Sequence, residues 1–190
     1  MTVPGDNHRV NDIQCTGSRE IYQNPWMTLR EDAIRRPDGS DGIYSVVDRP
    51  SYALVLARRD DQFCLVEQFR YPLGMRRWEF PQGTAPGLVE LEVSALAARE
   101  LREETGLSAE TMIPLGMLDV APGLTSQRGR VFLATDLTEG EPELEHEEQD
   151  LRSAWFSRDQ IEVMIRAGEI TDAQTIAAWM LLNLHERSLR

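Results

Sequence analysis

Hydrophobic positions along the chain fall into short runs at the front and longer helical spacings toward the back. Trp26 to Ile34 and Ile43 to Val47 are apolar and β-branched stretches flanking Pro37-Asp38-Gly39, whose turn chemistry predicts a hairpin. Tyr52 to Ala57 and Phe63 to Phe69 form a second strand pair across the polar step RRDDQ. Trp78 to Phe80 predicts a short strand ending at Pro81 and Gly83, followed by a glycine-containing loop and a helix from about Glu92 to Thr105 that Gly106 terminates. Ile113 to Val120, Arg130 to Thr135 and Ala154 to Phe156 predict three further strands, with a mobile acidic loop at Glu139 to Asp150. Ser157 with Gln160 and Thr171 with Gln174 carry capping-box spacing and open two helices. In the last of these, Ile176, Ala177, Met180, Leu181 and Leu184 recur at helical spacing and are expected to face the core.

Strands, a helix, more strands and terminal helices predict an α+β fold, a sandwich-like α/β/α domain with a mixed sheet. Residues 1–17 are polar and aperiodic and read as a flexible arm; residues 18–50 form the hairpin region, an extra small sheet ahead of the body; residues 51–190 are the main domain. The chain's 190 residues suffice for one such core.

Composition narrows the function. Thirty-two acidic against 20 basic residues give a formal charge of −12, which argues against a general nucleic-acid surface. No apolar run approaches a membrane span and the N-terminus lacks the apolar segment of a secretory signal, so the cytoplasm is the expected location. Cys15 and Cys64 have no metal or redox spacing, and Cys64, in the run FCLV, is expected to be a buried free thiol.

The candidate chemistry lies in RELREETGL, Arg99 to Leu107. Glu100, Glu103 and Glu104 project from one side of a helix. Such a face is either solvated surface or a set of oxygen ligands for a divalent cation, which would relieve the crowding of like charges. Glu100 and Glu104, one turn apart, can share ions, with Glu103 as a third ligand. Arg99 reads as structural, bridging to Glu103 at i+4.

This stretch resembles the Nudix box, Gly-x5-Glu-x7-Arg-Glu-U-x-Glu-Glu-x-Gly-U with U apolar. Arg99, Glu100, Leu101, Glu103, Glu104, Gly106 and Leu107 match every defined position of its second half. Its first half departs: Leu91 falls where a Glu belongs and Ala85 where the Gly belongs. An inserted pair of residues after Gly83, with Glu90 or Glu92 replacing the missing Glu, repairs the pattern. The likeness extends to LVEQFRYP (65–72), WEFPQG (78–83), Ala121-Pro122-Gly123 and Gly168-Glu169-Ile170, which resemble the ADP-ribose pyrophosphatase branch; Pro122, fifteen residues after Leu107, is its most diagnostic position.

The resemblance implies a Nudix-like α/β/α sandwich that hydrolyses ADP-ribose or a related nucleoside diphosphate sugar to a nucleoside monophosphate and a sugar phosphate. It implies Mg²⁺ or Mn²⁺ as cofactor, a small nucleotide substrate, and a homodimer built with the N-terminal sheet. Metal ligands would be Glu100, Glu103, Glu104 and the backbone carbonyl of Gln82, with Arg99, Gly83 and Gly106 structural. Arg70 would contact phosphate or remain a solvated surface arginine, and Gln127 stands in the substrate loop where many relatives have an acid. The catalytic base would be a glutamate of the acidic loop, Glu147 ahead of Glu148, with Glu103 assisting; Gln149 replaces an acid that some relatives use for metal. WEFPQG is also similar to dinucleoside polyphosphate hydrolases. A catalytically weak nucleotide-binding module is the alternative of another class, and the absence of a suitable cysteine beside the box argues against isoprenoid isomerisation.

Overall fold

The computed structural model describes residues 12–84, 92–144 and 146–189, with Glu147 by its backbone alone. Its centre is the apolar pair β4 (Tyr52–Arg59) and β5 (Gln62–Arg70), which are buried along most of their length because helices cover both sheet faces. Alternation on β4 feeds two cores. Tyr52, Leu54 and Leu56 pack with Phe80, Ile161 and Trp179, beneath α2 (Arg158–Ala167) and α3 (Ala173–Ser188). Ala53, Val55 and Ala57 pack with Leu96, Leu101 and Phe132 beneath α1 (Val93–Thr105). The result is the expected α/β/α sandwich.

The sheet runs β10 (Arg152–Ser157), β5, β4, β9 (Arg128–Glu139), β8 (Leu107–Asp119), with β4 and β9 parallel and the other pairs antiparallel. β4 and β5 pair only from Ala57↔Cys64 to Arg59↔Gln62 and then splay. β6 (Met75–Glu79) pairs along the departing end of β5, and β7 (Gln82–Thr84) along that of β4. Phe80 and Pro81 cross the wedge between them, where the Val55 N–H donates to the Pro81 carbonyl at 2.9 Å. This wedge places Glu79 and Gln82 at the mouth of the sheet.

The expected hairpin ahead of the body is present but gains a third strand: β1 (Gln14–Asn24), β2 (Met27–Arg35) and β3 (Asp41–Asp48) form an antiparallel sheet in that order. Gly39 takes the turn at φ 83°. The flexible arm read over residues 1–17 is therefore cut short at Gln14; residues 1–11 lie outside those described. The sequence hides β1 because its stability comes from backbone pairing to β2, not from burial: its side chains are almost all exposed. The small sheet is tied to the body by Val47 N–H to the Leu124 carbonyl (2.9 Å) and Ser126 Oγ to Asp48 (2.7 Å).

Two helical expectations need correction. The capping box at Ser157 forms with Gln160 as read, but α3 is capped by Asp172, which accepts from the Thr175 N–H, and not by Thr171, whose hydroxyl accepts from Arg77 Nε. The buried stripe of α3 is Thr175, Ala178, Trp179 and Leu182. Ile176, Met180 and Leu184 of the expected stripe are exposed, and Leu181 alone of that set packs against the core. No described helix is long and apolar enough to cross a membrane.

Candidate active site

Helix α1 is fixed at both ends. Glu92 caps its start, accepting from the N–H groups of Ser94 and Ala95. Gly106 closes it at φ 74°, so near the Gly140 carbonyl that a Cβ would lie 2.3 Å from that oxygen. The residues 85–91 that carry the expected inserted pair, Glu90 among them, lie outside the described residues. Glu92 acts as the helix cap.

This anchoring turns the carboxylates inward. Glu100 is 5% exposed and Glu104 1%, which removes the solvated-surface reading for both. Gly83 lies against Glu100 so closely that a Cβ would stand 2.1 Å from Oε2, and any larger residue would have to displace that carboxylate. The Gln82 N–H donates to Glu104 Oε2 at 3.2 Å, while Glu104 Oε1 is buried without a hydrogen-bond partner among the described residues. Arg99 donates to Glu100 Oε1 (2.8 Å) and to the Thr84 carbonyl (3.3 Å), and pairs with Glu103 at 3.3 Å. Burial pushes the Glu100 carboxyl up to about 7 against the pull of Arg99, with Glu103 and Glu148 adding to the rise. Glu104 is raised well above the ordinary carboxylate value by burial, then by Glu148 and Glu100.

A buried carboxylate oxygen without a proton donor, beside a second buried carboxylate, is a hard-oxygen donor set that fits a divalent cation. Among the described residues no three Asp, Glu, His or Cys side chains form a ready-made cage.

The carboxylates open on a cleft of about 820 Å³ lined by Gln82, Gly83, Glu100, Glu148, Arg70 and Gln127, among others. Arg70 is partly exposed and is paired: its guanidinium forms a two-pronged pair with Glu79, Nε to Oε1 at 2.8 Å and Nη2 to Oε2. Gln82 Nε2 donates to the same Glu79 (3.0 Å) and to Asp172 (3.3 Å). Gln127, 5% exposed, donates to the Pro50 carbonyl at 2.9 Å. In the acidic loop, His146 to Glu148 form a short 3₁₀ turn, Gln149 bonds His146 at 2.8 Å, and Glu148 reaches the cleft. The side chain of Glu147, the favoured base in the sequence reading, lies outside the described residues.

Among the cleft residues that escaped the sequence reading are Glu79, Asp172 and Tyr52. Glu79 carries a weak signal, an acid between two aromatics at a strand end. Asp172 carries a better one, an Asp three residues before Thr175 at a helix start. Tyr52 carries none, because it reads as an ordinary strand residue.

A NUDIX domain family profile matches residues 47–179, and one for the nucleoside diphosphate sugar hydrolase N-terminal domain matches residues 13–47. The chain is 36% identical over 169 residues to an ADP-ribose pyrophosphatase of Mycobacterium tuberculosis, covering 88% of this chain and 81% of that one. It is 29% identical over 169 residues to an ADP-ribose pyrophosphatase of Bacillus subtilis, covering 88% and 90%. The crystal structure of an ADP compounds hydrolase superposes with a TM-score of 0.83 at 18% identity, covering 96% of this chain and 98% of that chain.

Proposed function

Since the chain belongs to the Nudix family and is a Nudix pyrophosphohydrolase, we propose that its substrate is ADP-ribose or a related nucleoside diphosphate sugar, cleaved at the pyrophosphate to a nucleoside monophosphate and a sugar phosphate. The observation that carries this reading is the pair Glu100 and Glu104, buried and held together without enough positive charge to balance them. Glu100, Glu103, Glu104 and the carbonyl of Gln82 would hold Mg²⁺ or Mn²⁺, which supplies neutralisation of phosphate oxygens and acidification of water. Arg70 offers its guanidinium to a phosphate oxygen from a position preset by Glu79. Glu147, the first choice from the resemblance, or Glu148, which lines the cleft on the same turn, would receive the proton of the attacking water.

The test is hydrolysis of a panel of nucleoside diphosphate sugars and dinucleoside polyphosphates with Mg²⁺. Release of a sugar phosphate and a nucleoside monophosphate is expected; preference for the dinucleoside polyphosphates, or no phosphate-bearing product from a folded protein, overturns the assignment. Glu148→Gln and Glu147→Gln, assayed side by side, identify the base as the one whose loss removes the alkaline-rising limb of the rate profile.

The reading includes a cytoplasmic homodimer. Support comes from Ile21, Tyr22, Trp26, Ile43 and Tyr44, large apolar side chains exposed on the N-terminal sheet and its turn, and from the free thiols Cys15 and Cys64. Light scattering on the purified chain checks the dimer.

A further inference from the structure

Tyr52 is 4% exposed, lines the cleft, and its hydroxyl has no hydrogen-bond partner among the described residues. A buried hydroxyl left unmatched opposes folding, so its retention at a cleft wall points to a partner that arrives with the ligand. Tyr52 stands opposite Gly129 in the parallel β4–β9 pair, and a Cβ on Gly129 would lie 2.0 Å from Tyr52 Cζ and 2.3 Å from its hydroxyl. The hydroxyl end is thus seated on the bare backbone of the neighbouring strand.

Asp172 is the charge that bears on it. Burial, then Asp172, pushes the Tyr52 hydroxyl up to about 12, so it stays a proton donor. Asp172 uses Oδ2 to accept from Thr175 N–H (2.7 Å) and Gln82 Nε2 (3.3 Å), whereas Oδ1 takes no hydrogen bond among the described residues. A donor and an acceptor that line the same cleft suit a group that both accepts and donates. A sugar hydroxyl does so, while a phosphate would be repelled by Asp172.

We propose that Tyr52 and Asp172 together clasp a sugar hydroxyl of the substrate, the phenol donating to the sugar oxygen and the sugar hydroxyl donating to Asp172, which makes Tyr52 a specificity-determining residue. The proposal rests on the nucleoside diphosphate sugar reading for its ligand. It does not depend on turnover.

Tyr52→Phe keeps the ring over Gly129 and removes only the hydroxyl; the variant is expected to melt at or above the wild-type temperature. Wild type and variant are titrated with ribose 5-phosphate, AMP and inorganic phosphate in the presence of Mg²⁺. Affinity for one sugar phosphate should fall about tenfold with inorganic phosphate unchanged, and whichever of ribose 5-phosphate and AMP weakens identifies the sugar that is held. Equal binding of both sugar phosphates by the two proteins, a parallel loss for inorganic phosphate, or no binding of either sugar phosphate by the wild type overturns the proposal. Failure of the hydrolysis panel would sink the substrate assignment and leave this titration readable. With a turned-over substrate, KM rises about tenfold in Tyr52→Phe while kcat holds; a fall in kcat with KM held also overturns it.

Discussion

Glu67 and Glu104 are the same residue type at similar burial, 8% and 1% exposed, in opposite circumstances. Glu67 Oε2 accepts from Arg76 Nε (2.8 Å) and Arg152 Nε (2.6 Å), and Arg76 goes on to hold the Asp150 carbonyl at 2.7 Å. Burial alone would raise the Glu67 carboxyl, but the two arginines hold it below the ordinary value. Glu104 has one backbone N–H on one oxygen and nothing among the described residues on the other. Burial of an acid therefore does not mark a site; burial without compensation does. Glu67 fastens the strand β5 to the end of the acidic loop, and Glu104 waits for a charge that the described residues do not place on it.

The largest effect expected from this contrast is on Glu104. Glu104→Gln should lower kcat/KM by roughly a hundredfold or more, while the metal-free protein melts no lower than wild type, because the cost of burying an ionisable carboxyl has been removed. A large fall in melting temperature with activity retained would reverse the assignment. Next, Gly83→Ala places a methyl where Glu100 Oε2 sits. Activity should drop roughly tenfold or more, since about 1 Å of misplacement near the chemistry suffices for that, and the metal requirement should weaken to higher Mg²⁺ concentrations; an unchanged Mg²⁺ titration would separate Gly83 from the carboxylates. Third, Glu67→Ala leaves Arg76 and Arg152 without their shared acceptor and should cost about 2 kcal/mol in denaturant unfolding. Equal loss of stability in Glu104→Ala and Glu67→Ala would erase the distinction.

The smallest effect is a difference in slope. Glu100 binds its proton up to about pH 7 in the folded protein and only to about 4.5 when unfolded, so metal-free stability should fall as pH rises through that window. Glu67 is shifted the other way: its contribution is present above its unfolded value and lost as pH falls below it. Melting curves should show a few degrees of change on each limb. Glu100→Gln flattens the neutral limb, Glu67→Gln the acid one, and saturating Mg²⁺ suppresses the neutral limb alone.

What the sequence disclosed divides along the same line. RELREETGL could be read in advance because a helix converts spacing directly into a shared face, whereas the burial of Glu100 and Glu104 could not, since the same face could have been solvated surface. The α3 stripe could not. Its apolar residues surround the helix, and the side that packs inward includes Thr175, whose hydroxyl accepts from the Phe80 N–H at 3.1 Å and so belongs inside for a reason that apolar counting misses. Arg70 needed its partner Glu79, nine residues away, and the β5–β6 register does not announce the pair: it sets Glu79 opposite Val66 and Arg70 opposite Met75, and only the long side chains meet. β1 was missed because a strand held by its backbone has no need of an apolar alternation.

The seat of Tyr52 on Gly129 reaches beyond one molecule. Two positions far apart in the chain share a single volume, and a side chain at 129 would evict the ring at 52. Descendants of this chain can change them only as a pair, so a small residue at 52 should accompany any side chain at 129, and a lineage that makes that exchange will have altered which ligands its cleft accepts without touching the nine residues by which the family is known.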